Sequence, residues 1–312
     1  MNRLTENKII LVKRKSRLDE LITRFNTITQ AKFYIEHLGA DFSDYLKEHE
    51  EYDRAIYNAR RILDMIGRVH VIDRSFLPNF IFGPNDIVVA IGQDGLVANT
   101  VKYLSSQPLI GVNPDPKRWD GILLPFKVND LKYIVAEVFK NKRPIKEVTL
   151  AKAILNDGQA LYGVNDLFIG QKSHVSARYT IQSGKKTEQH SSSGIIVSTG
   201  LGSSAWFKSI LIGATEIVNS LLDNKVTLKT LNGFKWDSDY LYFSVREPFP
   251  SKTSATTLVF SKITKNKPLK ILSCMPENGV IFSDGIESDF LSFNSGVQAT
   301  ITLAEKKGQL VV

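Results

Sequence analysis

The stretch 87-IVVAIGQDGLVANT-100 decides how the chain is read. An apolar, β-branched run stops at Gly92, two glycines then enclose Gln93 and Asp94, and residues 96–104 have the composition of a helix. Such a run suits a strand buried on both faces, as in a parallel sheet with helical crossovers. Glycines between strand and helix let backbone amides approach a phosphate closely, which makes Gly92 and Gly95 candidate binding residues. Asp94 is the anomaly, because phosphate is itself an anion. A carboxylate at such a turn has two physical uses. It can take the proton of a hydroxyl nucleophile, or it can help hold magnesium against phosphate oxygens. Taken alone the turn is weak evidence, since it is neither a G-x-G-x-x-G fingerprint nor a P-loop with its Lys and Ser or Thr.

Outward from this stretch the first third of the chain alternates. Residues 8–13 (KIILVK), 69–73 (VHVID) and 108–113 (PLIGVN) read as strands, and residues 26–38 and 47–66 as amphipathic helices. In the second helix Ile56, Ala59, Leu63 and Ile66 recur at three- and four-residue spacing. The expected architecture is an open parallel sheet, Rossmann-like, with ligands gathering beyond the carboxyl ends of its strands. Both 92-GQDG-95 and 111-GVNPDPKR-118, with Asn113 at its strand end, fall at such ends.

The texture changes near residue 145. Short β-branched segments follow at 148–155, 164–170, 175–181, 194–199, 225–232, 239–245, 256–261 and 268–273, with a last strand at 297–305. This is the pattern of a largely antiparallel, β-rich region, with one helix beginning after 200-GLGSSAW-206. The division expected is an α/β nucleotide-binding domain over 1–145, a β-rich substrate-binding domain over 146–290, and a closing strand and tail over 291–312.

Composition narrows the classes. The 312 residues carry a formal charge of +8, which suits polyanionic ligands; no dense basic run with interleaved aromatics argues for nucleic acid. A single cysteine, Cys274, rules out an intramolecular disulfide and a thiolate metal cluster, and points to a reducing cytoplasm. No run reaches 18 apolar residues, so no membrane span is expected. The five histidines are scattered, and neither a zinc motif nor a G-x-S-x-G elbow is present. No metal-ligating residue is therefore assigned.

Two further constellations lie in the second half. In 193-SGIIVSTGLGSSAW-206 a strand runs into a glycine turn with Ser203 and Ser204 at a helix start, where they serve either as caps or as a cradle for phosphate or ribose. The pair Asn165 and Asp166 can bind ribose hydroxyls or an amide-bearing ring, and equally makes ordinary turns.

Together, 92-GQDG-95, 165-ND-166 and 202-GSSAW-206 resemble the GGDG, Asn-acid and Gly-Ser-Thr-Ala-Tyr motifs of the NAD kinase family. The likeness is strongest to its mitochondrial-type branch, at 111-GVNPDPKRWDG-121, 165-NDLFIGQKSHVSARY-179 and 192-SSGIIVSTGLGSSAW-206. The resemblance implies ATP-dependent phosphorylation of the adenosine ribose 2'-hydroxyl of NAD to give NADP. ATP then brings Mg2+ with it, NAD is the substrate, and the protein is a homodimer or homotetramer. It implies that Asp94 activates the hydroxyl and that Asn165 and Asp166 contact the dinucleotide. Ser203, Ser204, Ala205 and Trp206 would line the substrate pocket. Lys117 and Arg118 are candidate phosphate contacts, with a solvated charge pair as the alternative. Gln93 replaces a glycine and its conformational freedom, and Leu96 and Leu201 replace threonines. Asp166 replaces a glutamate, and Ser193 stands where bacterial-type members have aspartate. These departures leave open a kinase acting on another hydroxyl, of a lipid or sugar, and a non-catalytic nucleotide-binding protein.

Overall fold

Parallel strands with helical crossovers form the first part of the computed structural model, which describes residue 5, residues 7–222 and residues 226–312. The chain separates into two compact units, Met1–Lys146 with Gln309–Val312, and Glu147–Gly308. Residues 291–308 thus belong to the second unit and 309–312 to the first, rather than forming a separate tail.

The first unit contains β1 (Lys8–Lys13), α1 (Arg17–Phe25), α2 (Ile28–His37), α3 (Phe42–Asp64), β2 (Arg68–Asp73), β3 (Ile87–Ile91), α4 (Asp94–Val101), β4 (Pro108–Asn113), β5 (Phe126–Lys127) and α5 (Leu131–Phe139). Its strands run in the order β2-β1-β3-β4, all parallel, with β5 continuing beside the end of β4. Ile9, Leu11, Ile87, Val89, Ile91, Ile110 and Val112 bury one face with Tyr52, Ala55, Ala59 and Leu63 of α3 and Leu131, Ile134 and Val135 of α5. The alternate residues Ile10, Val12, Val88 and Ala90 are buried too, which explains the uninterrupted apolar runs.

The helix expected over 26–38 is α2, and α1 before it goes unread in the sequence. A capping box between Ser16 and Asp19 starts α1, Asn26 ends it at a left-handed φ of 67°, and the Thr27 hydroxyl caps α2 by accepting from Gln30 N. The next helix begins at Phe42, five residues before the expected start, because Asp41 caps it by accepting from Ser43 N.

The second unit contains β6 (Ile145–Leu155), β7 (Ala160–Gly163), β8 (Asp166–Gln171), β9 (Ala177–Ser183), β10 (Lys186–Ser192), β11 (Ile195–Ser198), α6 (Trp206–Leu221), β12 (Tyr240–Val245), β13 (Phe260–Thr264), β14 (Leu269–Ser273), β15 (Gly279–Ser283), β16 (Ile286–Ser292) and β17 (Gln298–Val311). The first residues of β6 and the last of β17 belong to the first unit, where Gln309 and Leu310 pair in parallel with Pro108 and Leu109. An antiparallel sheet β13-β12-β11-β8-β15-β16 shares one core with β10-β9-β14-β17 and β6. Leu167, Ile169, Val197, Phe243 and Ile281 meet Ala153, Tyr179, Ile181, Ile271 and Ile301 there. The other face of the six-stranded sheet presents Phe168, Ile196 and Val280, which α6 covers with Trp206 and Ile210.

Two expected strands of this region change, and one strand goes unread. The strand expected over 225–232 includes Lys225, outside the described residues, and Lys229–Asn232 is a 3-10 turn. Residues 256–259 precede β13, because Glu188 accepts from the amides of Thr257 and Leu258. Strand β10 is so polar (KTEQHSS) that its composition conceals it. Among the described residues no helix is long and apolar enough to cross a membrane.

Candidate functional site

In the first unit the candidate site grows from the carboxyl ends of β1, β3 and β4. Gln93 has φ −114° and ψ 164°, ordinary extended backbone, so this turn needs no glycine there and loses nothing by the substitution. Asp94 is the first residue of α4. Its carboxylate accepts from Leu123 N at 2.8 Å and from Ile122 N at 3.2 Å. A carboxylate has about four acceptor positions, so two remain after these bonds. Asp94 lines a cavity of about 340 Å³ together with Gln93, Gly95, Trp119, Asp120 and Ile122. Gly95 is exposed, and a Cβ built on it would meet nothing within 4 Å. Leu96 is 2% exposed and is not among the cavity's lining residues.

The loop after β4 is held by Asn113. Its side-chain amide donates to Trp119 O at 2.8 Å and its carbonyl accepts from Asp115 N at 3.1 Å. Both ends of that side chain are thus spent on the loop. Lys117 is exposed and makes no ion pair among the described residues. Arg118 differs: its guanidinium reaches Asp44 with both arms, at 2.6 and 3.1 Å. The two guanidinium groups on Asp44, Arg118 first and Arg17 second, hold its carboxyl far below the usual range.

In the second unit Asn165 and Asp166 open β8. Asp284, which the sequence reading passed over, organises them. Its carboxylate accepts from Asn165 N at 2.6 Å, from Val164 N at 3.0 Å and from Asp166 N at 3.4 Å. Asp284 and Gly285 both have left-handed φ, 56° and 71°, and form the two-residue turn between β15 and β16. The signal was available as Asp-Gly between two strand-like runs. The Asn165 side chain makes no hydrogen bond to the described residues and is half-buried. Asp166 is 6% exposed, and burial, with the Asp284 charge second, pushes its carboxyl up to about 7.

The serines of 202-GSSAW-206 do not cap α6. Ala205 occupies the cap position without a side-chain bond. Ser203 is buried, its hydroxyl donating to Gly200 O at 2.6 Å and accepting from Phe234 N at 3.1 Å. Gly202 is required by packing, since a Cβ there would lie 2.0 Å from Asn165 O. That contact joins this turn to the Asn-Asp pair, as do Thr199 N and Oγ1, which donate to Asn165 O at 3.0 and 3.1 Å. Ser204 and Ala205 are exposed; Trp206 stacks on Phe168 with ring centroids 6.0 Å apart, and Arg246 lies 5.4 Å from the Trp206 ring. Leu201 is 6% exposed, an apolar packing position.

No protein-family model matches the sequence, and a search of curated proteins finds no match. Solved structures do match. An NAD kinase from Archaeoglobus fulgidus in complex with ATP superposes with a TM-score of 0.55 at 12% identity, over 98% of this chain and 93% of that one. Yeast NADH kinase complexed with NADH gives 0.54 at 14% identity, over 99% and 84%. At such low identity the likeness speaks for architecture, and it spans both units almost from end to end. The chain therefore has the fold of the NAD and NADH kinases.

Proposed function

We propose that this protein is an ATP-dependent kinase that phosphorylates the adenosine ribose 2'-hydroxyl of NAD or NADH. The observation that carries the reading is Asp94, whose carboxylate is held by two backbone amides at a cavity that also contains exposed Gly95. A hydroxyl becomes a nucleophile when a fixed acceptor takes its proton, and the remaining acceptor positions of Asp94 suit that task. The amides of Asp94 and Gly95, which open α4, have no acceptor within the helix and favour an anion, whereas Leu96 N already donates to Gln93 O at 2.8 Å. Lys117 remains the candidate phosphate contact of the loop; Arg118 is engaged by Asp44.

Mg2+ would arrive on the nucleotide. Among the described residues no group of three or more His, Cys, Asp or Glu could hold a metal, whereas Asp94 and Asp120 both line the cavity. One or two carboxylates with phosphate oxygens make an adequate magnesium environment. In the second unit Asn165, with its uncommitted amide, and Asp166 would contact the dinucleotide, and Ser204, Ala205 and Trp206 would border it. The departures from the family motif do not favour another acceptor, since Gln93 keeps an ordinary backbone and Leu96 and Leu201 are buried.

The test is NADP or NADPH formation by the purified protein with ATP, Mg2+ and NAD or NADH. Asp94→Asn is expected to lower kcat by about 10²- to 10⁴-fold, the usual worth of a positioned base, with dinucleotide binding retained. Turnover on a different alcohol with none on either dinucleotide would overturn the reading. Unchanged kcat in Asp94→Asn would remove Asp94 from the chemistry.

A further inference from the structure

Asp44, Glu48 and Tyr52 stand at i, i+4 and i+8 on α3, one stripe of the helix. Each grips a different part of the strand ends and of the segments that follow them. The Tyr52 hydroxyl accepts from Arg14 N and donates to Ile91 O, both at 2.9 Å, tying the ends of β1 and β3 together. Glu48, 4% exposed, accepts from the Arg14 guanidinium at 2.9 Å and from Arg17 Nε. Asp44 accepts from Arg17 at 2.7 Å and, with both oxygens, from Arg118. Arg118 is on the loop that Asn113 closes, four residues before Ile122.

We propose that Asp44 is a positioning residue for Asp94, acting through Arg118 and the loop to present the amides of Ile122 and Leu123. The proposal rests on the reading of Asp94 as the base. Residues 114–125 contain no helix or strand; Leu124 N donates to Gly121 O and closes the turn that carries those two amides, but no ladder fixes where that turn sits. A forked guanidinium–carboxylate pair fixes orientation as well as distance, which a lysine ammonium does not. A lone ion pair at this exposure would count for little, but this one continues through Arg17 into the buried Glu48 and the half-buried Arg14. The chain of contacts runs from Asp44 to Arg118, then along the loop to Ile122 N and Leu123 N, and ends on the Asp94 carboxylate.

Hydrogen–deuterium exchange at residues 119–125, followed by mass spectrometry in the full-length protein, tests this. Asp44→Asn and Arg118→Gln should each speed exchange there by about tenfold, and the double variant should be no faster than either, because both cut one path. In both variants kcat for NADP formation should fall by about tenfold with KM for NAD nearly unchanged, the pattern of a lost transition-state interaction. A variant that only weakened the fold would lower the amount of active enzyme, which thermal unfolding and active-site titration with nucleotide would reveal. If Asp44→Asn fails to fold, Arg118→Gln carries the comparison. Unchanged exchange overturns the proposal, and so does faster exchange with unchanged kcat. If the wild-type protein forms no NADP, the proposed function fails by itself, while the exchange data still decide whether Asp44 holds the loop.

Discussion

Gly95 lies in the first turn of α4, where alanine would make a better helix by up to about 1 kcal/mol. Neither a left-handed backbone nor a neighbouring atom demands glycine there. The missing side chain leaves room for a ligand to reach the amides. Gly95→Ala should therefore keep or slightly raise the thermal midpoint while lowering kcat/KM for ATP at least about tenfold, as expected for a blocked approach. Undiminished kcat/KM would mean that nothing comes close to this turn. Asp166 offers a second test at this scale. Its carboxyl is raised from 3.8 to about 7 by burial, so the folded state holds a proton that the unfolded chain releases. The sign follows directly: its contribution to stability is full below about 3.8 and is lost as pH rises toward about 7. Asp166→Asn should flatten that decline and stabilise the protein at neutral pH, as measured by urea unfolding from pH 4 to 8. An equal slope in both proteins would contradict the buried neutral carboxyl.

At the scale of elements, the turns carry the long-range bonds. The turn after β11 holds itself by Ser203, whose hydroxyl already donates to Gly200 O and accepts from Phe234 N. Ser203→Ala should cost about 1 kcal/mol of unfolding free energy, because the half-buried Phe234 N–H loses its acceptor. KM for NAD should move little, which separates a structural serine from a binding one; a large rise in KM at unchanged stability would reverse that assignment. The β15–β16 turn is built in the same spirit, since Asp284 accepts from amides of residues 164–166 far earlier in the chain. On α3 the stripe of Asp44, Glu48 and Tyr52 uses helical spacing for polar contacts, whereas the same helix buries Ala55, Ala59 and Leu63 against the sheet. The two sets lie on one face, polar in the first turns and apolar in the later ones, so an apolar periodicity reads the later turns from sequence and leaves the first ones unread.

For the whole molecule the excess of 40 Lys and Arg over 32 Asp and Glu leaves a net charge of +8. Such a field draws anionic nucleotides toward the protein and is screened by salt, with a Debye length near 10 Å at about 0.1 M. Raising ionic strength from about 0.05 to 0.5 M should lower kcat/KM for ATP severalfold with kcat nearly constant; a flat response would confine recognition to short-range contacts. The sequence by itself determined the parallel α/β first unit, the β-rich second unit, and the placement of 92-GQDG-95 and Asn113 at strand ends. Those depend on local periodicity and on where apolar runs stop, both of which are written within a few residues. Tertiary structure alone decided that Ile122 and Leu123 hold Asp94, that Asp284 gathers the amides of 164–166, and that Asp44 occupies Arg118. It also decided that Gln93 keeps an ordinary backbone and that Ser203 is already bonded at both lone pair and proton. The reason is physical. A hydrogen bond is chosen by proximity after folding, and residues 28, 74 or 119 positions apart leave no periodic trace of each other in the chain.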